Sequence, residues 1–255
     1  MSRFADKLKD ALQVAPPAIG FFRSATQSNS PRMLLVPQIG LEDAETTPDM
    51  MKGSDVVLLT CTKAISAKTM KVLIKATGDI SWGVRFTGKP QLKPMEGVDF
   101  RVCAFDDAML LGGDDASGNV LIVPLELPDN LARTLNDLPI ESVLVDISTA
   151  GILTWKDLMH LRRLGDLLAK PFLTLVSASV SEKEIKVLWD AGVDALVVAL
   201  SSENQTAFNK LRDNIGGISL TTKRKWMKTR AIVPVIKHEE PCSDAGCDDD
   251  CGDDE

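Results

Sequence analysis

Eight short apolar runs recur through most of this chain, and they constrain the fold more than any other feature. They are "MLLVPQI" (33–39), "DVVLLTC" (55–61), "SWGVRF" (81–86), "VDFRVCAF" (98–105), "VLIVPLEL" (120–127), "SVLVDIS" (142–148), "FLTLVSA" (172–178) and "DALVVAL" (194–200). Continuous apolar character, as opposed to strict alternation, marks strands buried on both faces. Parallel strands covered by helices have that property. Eight of them at nearly even spacing predict a closed α/β barrel, a single (β/α)8 unit over residues 1–238.

The second half carries the clearer helical signals. "PDNLARTLNDLP" follows the fifth run, with Pro128 and Asp129 at its start. "TWKDLMHLRRLGDLLAK" follows the sixth and places Leu158, Leu161, Leu164 and Leu168 on one face. "SEKEIKVLWDAG" follows the seventh, opening on a Ser181/Glu184 capping box and closing at Gly192. "ENQTAFNKLRDNIGG" follows the eighth. The first half has eroded helices. "SAKTMKVLIKATG" is a good helix, but "TGKPQLKPMEG" (87–97) holds two prolines, and 106–119 and 40–54 leave room for short turns only. The outer side of strands three to five therefore needs other cover. It has three sources within the chain: an N-terminal amphipathic helix with Phe4, Leu8 and Leu12 at helical spacing, "PAIGFF" (17–22) and "RAIVPVI" (230–236). Failing these, a homodimer on that flank is expected.

Charge divides sharply along the chain. Residues 239–255, "EEPCSDAGCDDDCGDDE", hold nine carboxylates and no Lys or Arg, so the net charge of −7 becomes +2 for the other 238 residues. With almost nothing apolar to bury, this tail is expected to be disordered. A second reading takes His238, Cys242, Cys247 and Cys251 as soft ligands of a small zinc site, although the commonest C-x-x-C spacing is missing. "KRKWMKTR" (223–230) concentrates five basic residues before the acidic tail, and suits either an anionic surface or an element closing the barrel base. The nearly neutral body and the adjacent acidic tail argue against nucleic acid as a partner. No apolar run reaches the ~20 residues a membrane span needs, and no secretory signal is visible. A cytoplasmic location is the expectation. Cys61 and Cys103 lie in apolar strands and read as core residues, with no disulfide framework.

In such a barrel the chemistry sits at the C-terminal ends of the strands. Position alone gives Gln38, Thr60 with Lys63, Arg85, Asp106 with Asp107, Glu126, Asp146 with Ser148, Ser177 with Ser179, and Ser201 with Ser202. Asp106, Glu126 and Asp146 end three consecutive runs and form an acidic arc, with Arg85 and Lys63 beside it. Lys63 or Arg85 would hold a small anionic ligand, Gln38 would contact it, and the arc would supply a general base or oxygen ligands for a divalent cation. The plain alternative is that strand ends are polar because they meet solvent. Neither His160 nor His238 lies at a strand end, and no G-x-G-x-x-G, P-loop or G-x-S-x-G motif occurs. The sequence names no cofactor.

"SEKEIKVLWDAGVDALVV" resembles the passage from seventh helix to eighth strand in aldolase-type and flavin- or phosphate-binding (β/α)8 barrels. The resemblance covers roughly the last 130 residues by unit order. It implies the barrel fold and an anion site at the seventh and eighth loops, where Ser177, Ser179, Ser201 and Ser202 would offer hydroxyl and backbone N–H groups. This chain has Ala199-Leu200-Ser201 and Ser177-Ala178-Ser179 where that group commonly has glycines. Two functions follow as expectations. One is a lyase, isomerase or aldolase-like enzyme acting on a small phosphorylated metabolite; the other is a non-catalytic barrel serving as an interaction or scaffold protein.

Overall fold

The computed structural model describes residues 2–12, 32–46, 48–51, 54–62, 65–87, 97–106, 117–147, 153–218 and 220. Its strands are β1 (Leu34–Gly40), β2 (Val56–Cys61), β3 (Ser81–Phe86), β4 (Phe100–Ala104), β5 (Gly118–Val123), β6 (Ser142–Asp146), β7 (Phe172–Val176) and β8 (Ala195–Leu200). They pair in parallel in sequence order, and β8 closes on β1 with Leu34 beside Ala195 and Gln38 beside Ala199. The fold is a closed (β/α)8 barrel.

Strand positions follow the apolar runs, with shifts at the ends. β5 starts at Gly118 and stops at Val123, short of the expected 127, because Pro124 has no N–H to continue the ladder. β4 stops at Ala104, β6 at Asp146 and β7 at Val176. Asp106 and Glu126 thus lie two and three residues beyond their strands, whereas Asp146 is itself the last residue of β6.

Alternation along every strand sorts side chains between two apolar layers. The outer layer joins the barrel to its helices. Leu161 and Leu164 of α5 (Trp155–Leu167), Ile185, Leu188 and Trp189 of α6 (Glu182–Asp190), and Phe208, Leu211 and Ile215 of α7 (Gln205–Gly217) pack with Val143, Val145, Phe172, Leu196 and Val198. Burying each of these leucines is worth about 1.5–3 kcal/mol. Ser181 and Glu184 form the expected capping box on α6, and Thr154 with Asp157 forms a second on α5. Earlier in the chain are α2 (Leu41–Thr46), a 3-10 turn (Pro48–Met51), α3 (Ala67–Thr77) and, after β5, the short α4 (Asp129–Thr134). No helix is described between β3 and β4 or between β4 and β5, where 88–96 and 107–116 lie outside the described residues.

The second layer fills the lumen. Leu34, Val36, Val56, Leu58, Phe100, Val102, Val120, Leu144, Leu173, Leu175, Ala195 and Val197 pack there, and α1 (Arg3–Leu12) completes it by inserting Phe4 and Leu8. The Phe4 and Phe100 rings stack at 4.2 Å. Gly83 makes room for them, because a Cβ at that position would fall on the Phe100 ring. The first turn of α1 is fixed by Asp99, which accepts hydrogen bonds from the N–H groups of Arg3 (2.9 Å) and Phe4 (2.8 Å) and from the Ser81 hydroxyl. Glu141 accepts from the Ser2 N–H at 2.9 Å. The amphipathic N-terminal helix therefore closes the N-terminal end of the barrel. That differs from the expected use as cover for the flank of β3 to β5, because Phe4 finds an aromatic partner inside the lumen. "PAIGFF" and "RAIVPVI", the other two expected covers, lie outside the described residues, as does the 239–255 tail. No described helix is long and apolar enough to cross a membrane.

Truncating Phe4 to Ala should destabilise the fold by about 3–5 kcal/mol through the cavity left in the lumen. Gly83→Ala should cost about 1–3 kcal/mol by overpacking against Phe100. Urea unfolding monitored by circular dichroism measures both, and two unchanged midpoints would contradict this packing of the barrel base.

Candidate functional site at the barrel mouth

The residue after the last apolar lumen residue of each strand defines the C-terminal mouth. Gln38 shares its face of β1 with Leu34 and Val36, and Thr60 its face of β2 with Val56 and Leu58. Arg85 shares its face of β3 with Gly83, the residue that meets the Phe100 ring. Asp146 follows Leu144, Ser177 follows Leu175, Ala104 follows Val102 and Ala199 follows Val197 in the same alternation. The mouth is thus lined by a polar arc on β1 to β3, an acidic and hydroxyl arc on β6 and β7, and small side chains on β4 and β8. Ala104 and Ala199 are exposed although they lie within strands, so solvent reaches the mouth floor.

Thr60 and Arg85 are direct register partners, and Gln38 pairs with Leu58, one lumen-facing step deeper on β2. Gln38 Oε1 and Thr60 Oγ1 are both shielded from solvent, and neither has a hydrogen-bond partner among the described residues. Such orphan groups cost free energy unless a ligand or ordered water satisfies them. Arg85 makes no recorded ion pair among the described residues, and Asp146 lies three strands away, across the mouth from it.

The other expected residues fall in different places. Glu126 is exposed and turned to the flank, where it pairs with Lys156 of α5 and lies 3.8 Å from His160. The Lys156 hydrogen bond and charge hold the Glu126 carboxyl below the usual glutamate range and raise the lysine in turn. Asp106 is exposed beyond β4. The structure therefore brings Gln38, Thr60, Arg85, Asp146 and Ser177 to one lumen face but does not join Asp106 and Glu126 to Asp146 in a continuous arc. Lys63, Asp107, Ser148, His238, Cys242, Cys247 and Cys251 lie outside the described residues. Among the described residues no cluster of His, Cys, Asp and Glu has the arrangement of a metal site. Burial pushes the Cys61 thiol up to about 11, so at neutral pH it is protonated and a poor nucleophile.

The seventh and eighth loops are held by their own side chains. Asn204 Oδ1 accepts the Ser201 N–H at 2.8 Å, and Asn204 Nδ2 donates to the Ala199 carbonyl at 2.8 Å. Ser177 Oγ accepts the Ser179 N–H at 3.3 Å and lies 2.9 Å from Ser179 Oγ. Sequence reasoning did not find Asn204. Its signal was an Asn directly before the helix that follows an unusually glycine-free strand end.

No family model matches the chain, and no curated protein matches it. Solved structures do. A thiamine phosphate pyrophosphorylase from Pyrococcus furiosus superposes with a TM-score of 0.51 at 11% identity, over 72% of this chain and 96% of that one. A mutant tryptophan synthase alpha-subunit from the same hyperthermophile gives 0.55 at 10% identity, over 72% and 96%. The protein titled KGPDC from Streptococcus mutans gives 0.52 at 14% identity, over 72% and 98%. At such identities the likeness establishes the fold, that of the aldolase-type (β/α)8 barrels.

Lys156→Met should return the Glu126 titration midpoint, followed by carboxyl NMR shifts, to the ordinary glutamate range. Because the folded-state value is depressed, this pair stabilises the fold above the ordinary range, and the contribution is lost as pH falls through the lowered value. The stability gap between wild type and variant should therefore be present at neutral pH and close in acid. An unchanged midpoint in the variant would contradict the pairing.

Proposed function

We propose that this protein binds a small anionic metabolite at the C-terminal mouth of the barrel and acts on it as a lyase, isomerase or aldolase-like enzyme. The observation that supports the reading most directly is the pair of shielded, partnerless oxygens, Gln38 Oε1 and Thr60 Oγ1, next to Arg85 in an open lumen. In this reading Arg85 holds the anionic group, with Lys63 as a second cation, and Gln38 and Thr60 orient the ligand. Asp146 acts across the mouth as the general base or acid, since a positioned carboxylate at hydrogen-bond distance from a reacting group typically contributes 10²–10⁴-fold. Asp106 sits farther out, beyond β4, Glu126 is taken up by Lys156 on the flank, and the hydroxyls of Ser177, Ser179, Ser201 and Ser202 complete the rim. The names of the similar structures, a thiamine phosphate pyrophosphorylase and tryptophan synthase alpha-subunits among them, agree with enzymatic use of such a barrel.

A second reading, an interaction protein, is favoured by one surface feature. Trp155 and Met159 stand one turn apart on α5 and are 84% and 73% exposed. Large apolar side chains this open often mark a contact surface. The similar tryptophan synthase alpha-subunit is also seen in a tryptophan synthase complex. The homodimer on the flank of β3 to β5 and the tail-borne zinc site belong to this second reading.

A metabolite panel followed by thermal shift tests the first reading. A ligand at 100 times its dissociation constant should stabilise the fold by about 2.7 kcal/mol. Asp146→Asn should then lower turnover at least 100-fold while leaving ligand affinity within a few-fold. No ligand-dependent shift across the panel, together with self-association that changing Trp155 and Met159 to Ser abolishes, would favour the second, with the interface on α5 and not on the flank of β3 to β5.

A further inference from the structure

Resting on the mouth as the binding site, we infer that its ligand is a carboxylate that also carries a hydroxyl or amine hydrogen-bond donor, and not a phosphate ester. Three independent features of the mouth lead to this class.

The first is the state of the seventh and eighth loops. A phosphate dianion is normally received by several backbone N–H groups that converge at a turn or helix start, with glycines allowing close approach. Here the Ser201 N–H is taken by Asn204 Oδ1, and the same side chain clamps the Ala199 carbonyl through Nδ2. The Ser179 N–H is taken by Ser177 Oγ. Residues 177–179 and 201–204 contain no glycine, so these loops lack the bare backbone that lets a phosphate approach closely. Receiving a phosphate there would require breaking the Asn204 bridge, which joins the end of β8 to the start of α7.

The second is charge. Among the described lumen residues of the mouth, Arg85 is the one cation and Asp146 the one anion. The planar fork of that guanidinium receives the two oxygens of a carboxylate as a bidentate pair.

The third is the identity of the orphan atoms. Gln38 Oε1 accepts hydrogen bonds and donates none, so the group that satisfies it must be an N–H or O–H donor. Thr60 Oγ1, a register partner of Arg85, can serve the carboxylate or the same donor. An anion at Arg85 with a donor on the same ligand that reaches Gln38 describes a hydroxy- or aminocarboxylate.

Isothermal titration of the full chain with matched pairs tests this: glycolate against acetate, lactate against propanoate, and malate against succinate, beside inorganic phosphate and glycerol phosphate. The hydroxy acids should bind, each at least tenfold more tightly than its deoxy partner, and both phosphates more weakly. Arg85→Lys should weaken the hydroxy acids at least tenfold, because the ammonium keeps the charge but loses the fork. Asn204→Gly should improve phosphate binding without changing that of the hydroxy acids, a readout that a general loss of structure would not produce. Phosphate or glycerol phosphate binding more tightly than every carboxylate, or deoxy acids binding as well as their hydroxy partners, would overturn the carboxylate assignment while leaving the mouth as the site. Absence of binding by both classes would overturn the mouth reading and this inference together.

Discussion

The interior of an eight-stranded barrel is only wide enough to be filled by side chains. Here the filling is asymmetric, and the asymmetry organises the molecule. Toward the N-terminal end the lumen is apolar and closed by a separate element, with Phe4 of α1 stacked on Phe100 and Gly83 yielding the space. Asp99 ties this plug to the sheet through two backbone N–H groups of α1 and the Ser81 hydroxyl. The base is sealed by packing around the small hydroxyls of Ser81 and Ser142, and the charged and amide lumen residues lie at the opposite end. Gln38, Thr60, Arg85 and Asp146 occupy that end by strict alternation from buried leucines and valines.

That arrangement explains how the mouth can be open while the barrel remains closed. The strands are held from outside by leucines and aromatics of α5, α6 and α7, so the lumen layer at the mouth is free to carry polar groups and small residues. Ala104 and Ala199 leave room above the floor, and the Asn204 bridge gives the eighth loop a fixed shape without glycine. The same bridge occupies the Ser201 N–H, one donor that an anion at the eighth loop would otherwise use. The shape of the eighth loop and the occupied Ser201 N–H thus have a common origin in one side chain.

The barrel was legible in the sequence because a strand buried on both faces leaves a continuous apolar run, and all eight runs became strands. Their ends were less legible. Leu125 and Leu127 continue the apolar pattern past Pro124, although β5 ends before it and both residues pack against the outer layer. Glu126 was read as a strand end for that reason, and its true partner, Lys156, comes from a helix thirty residues later, a pairing no local pattern encodes. The strand-end places of Gln38 and Arg85 followed from position. The orphan state of Gln38 Oε1 and Thr60 Oγ1 did not, since it depends on what neighbouring strands fail to offer. The plug role of α1 was likewise hidden, because amphipathicity specifies that one face is buried but not where.

The central claim is that the orphan oxygens and the guanidinium on β1 to β3 form one binding locus. Side-chain NMR of the Gln38 amide and the Arg85 guanidinium during titration with glycolate tests it most directly. If the account is right, both signals move with a single shared midpoint, while the backbone amides of Ser179 and Ser201 stay in place. Movement confined to the seventh and eighth loops, with Gln38 and Arg85 unchanged, would contradict it.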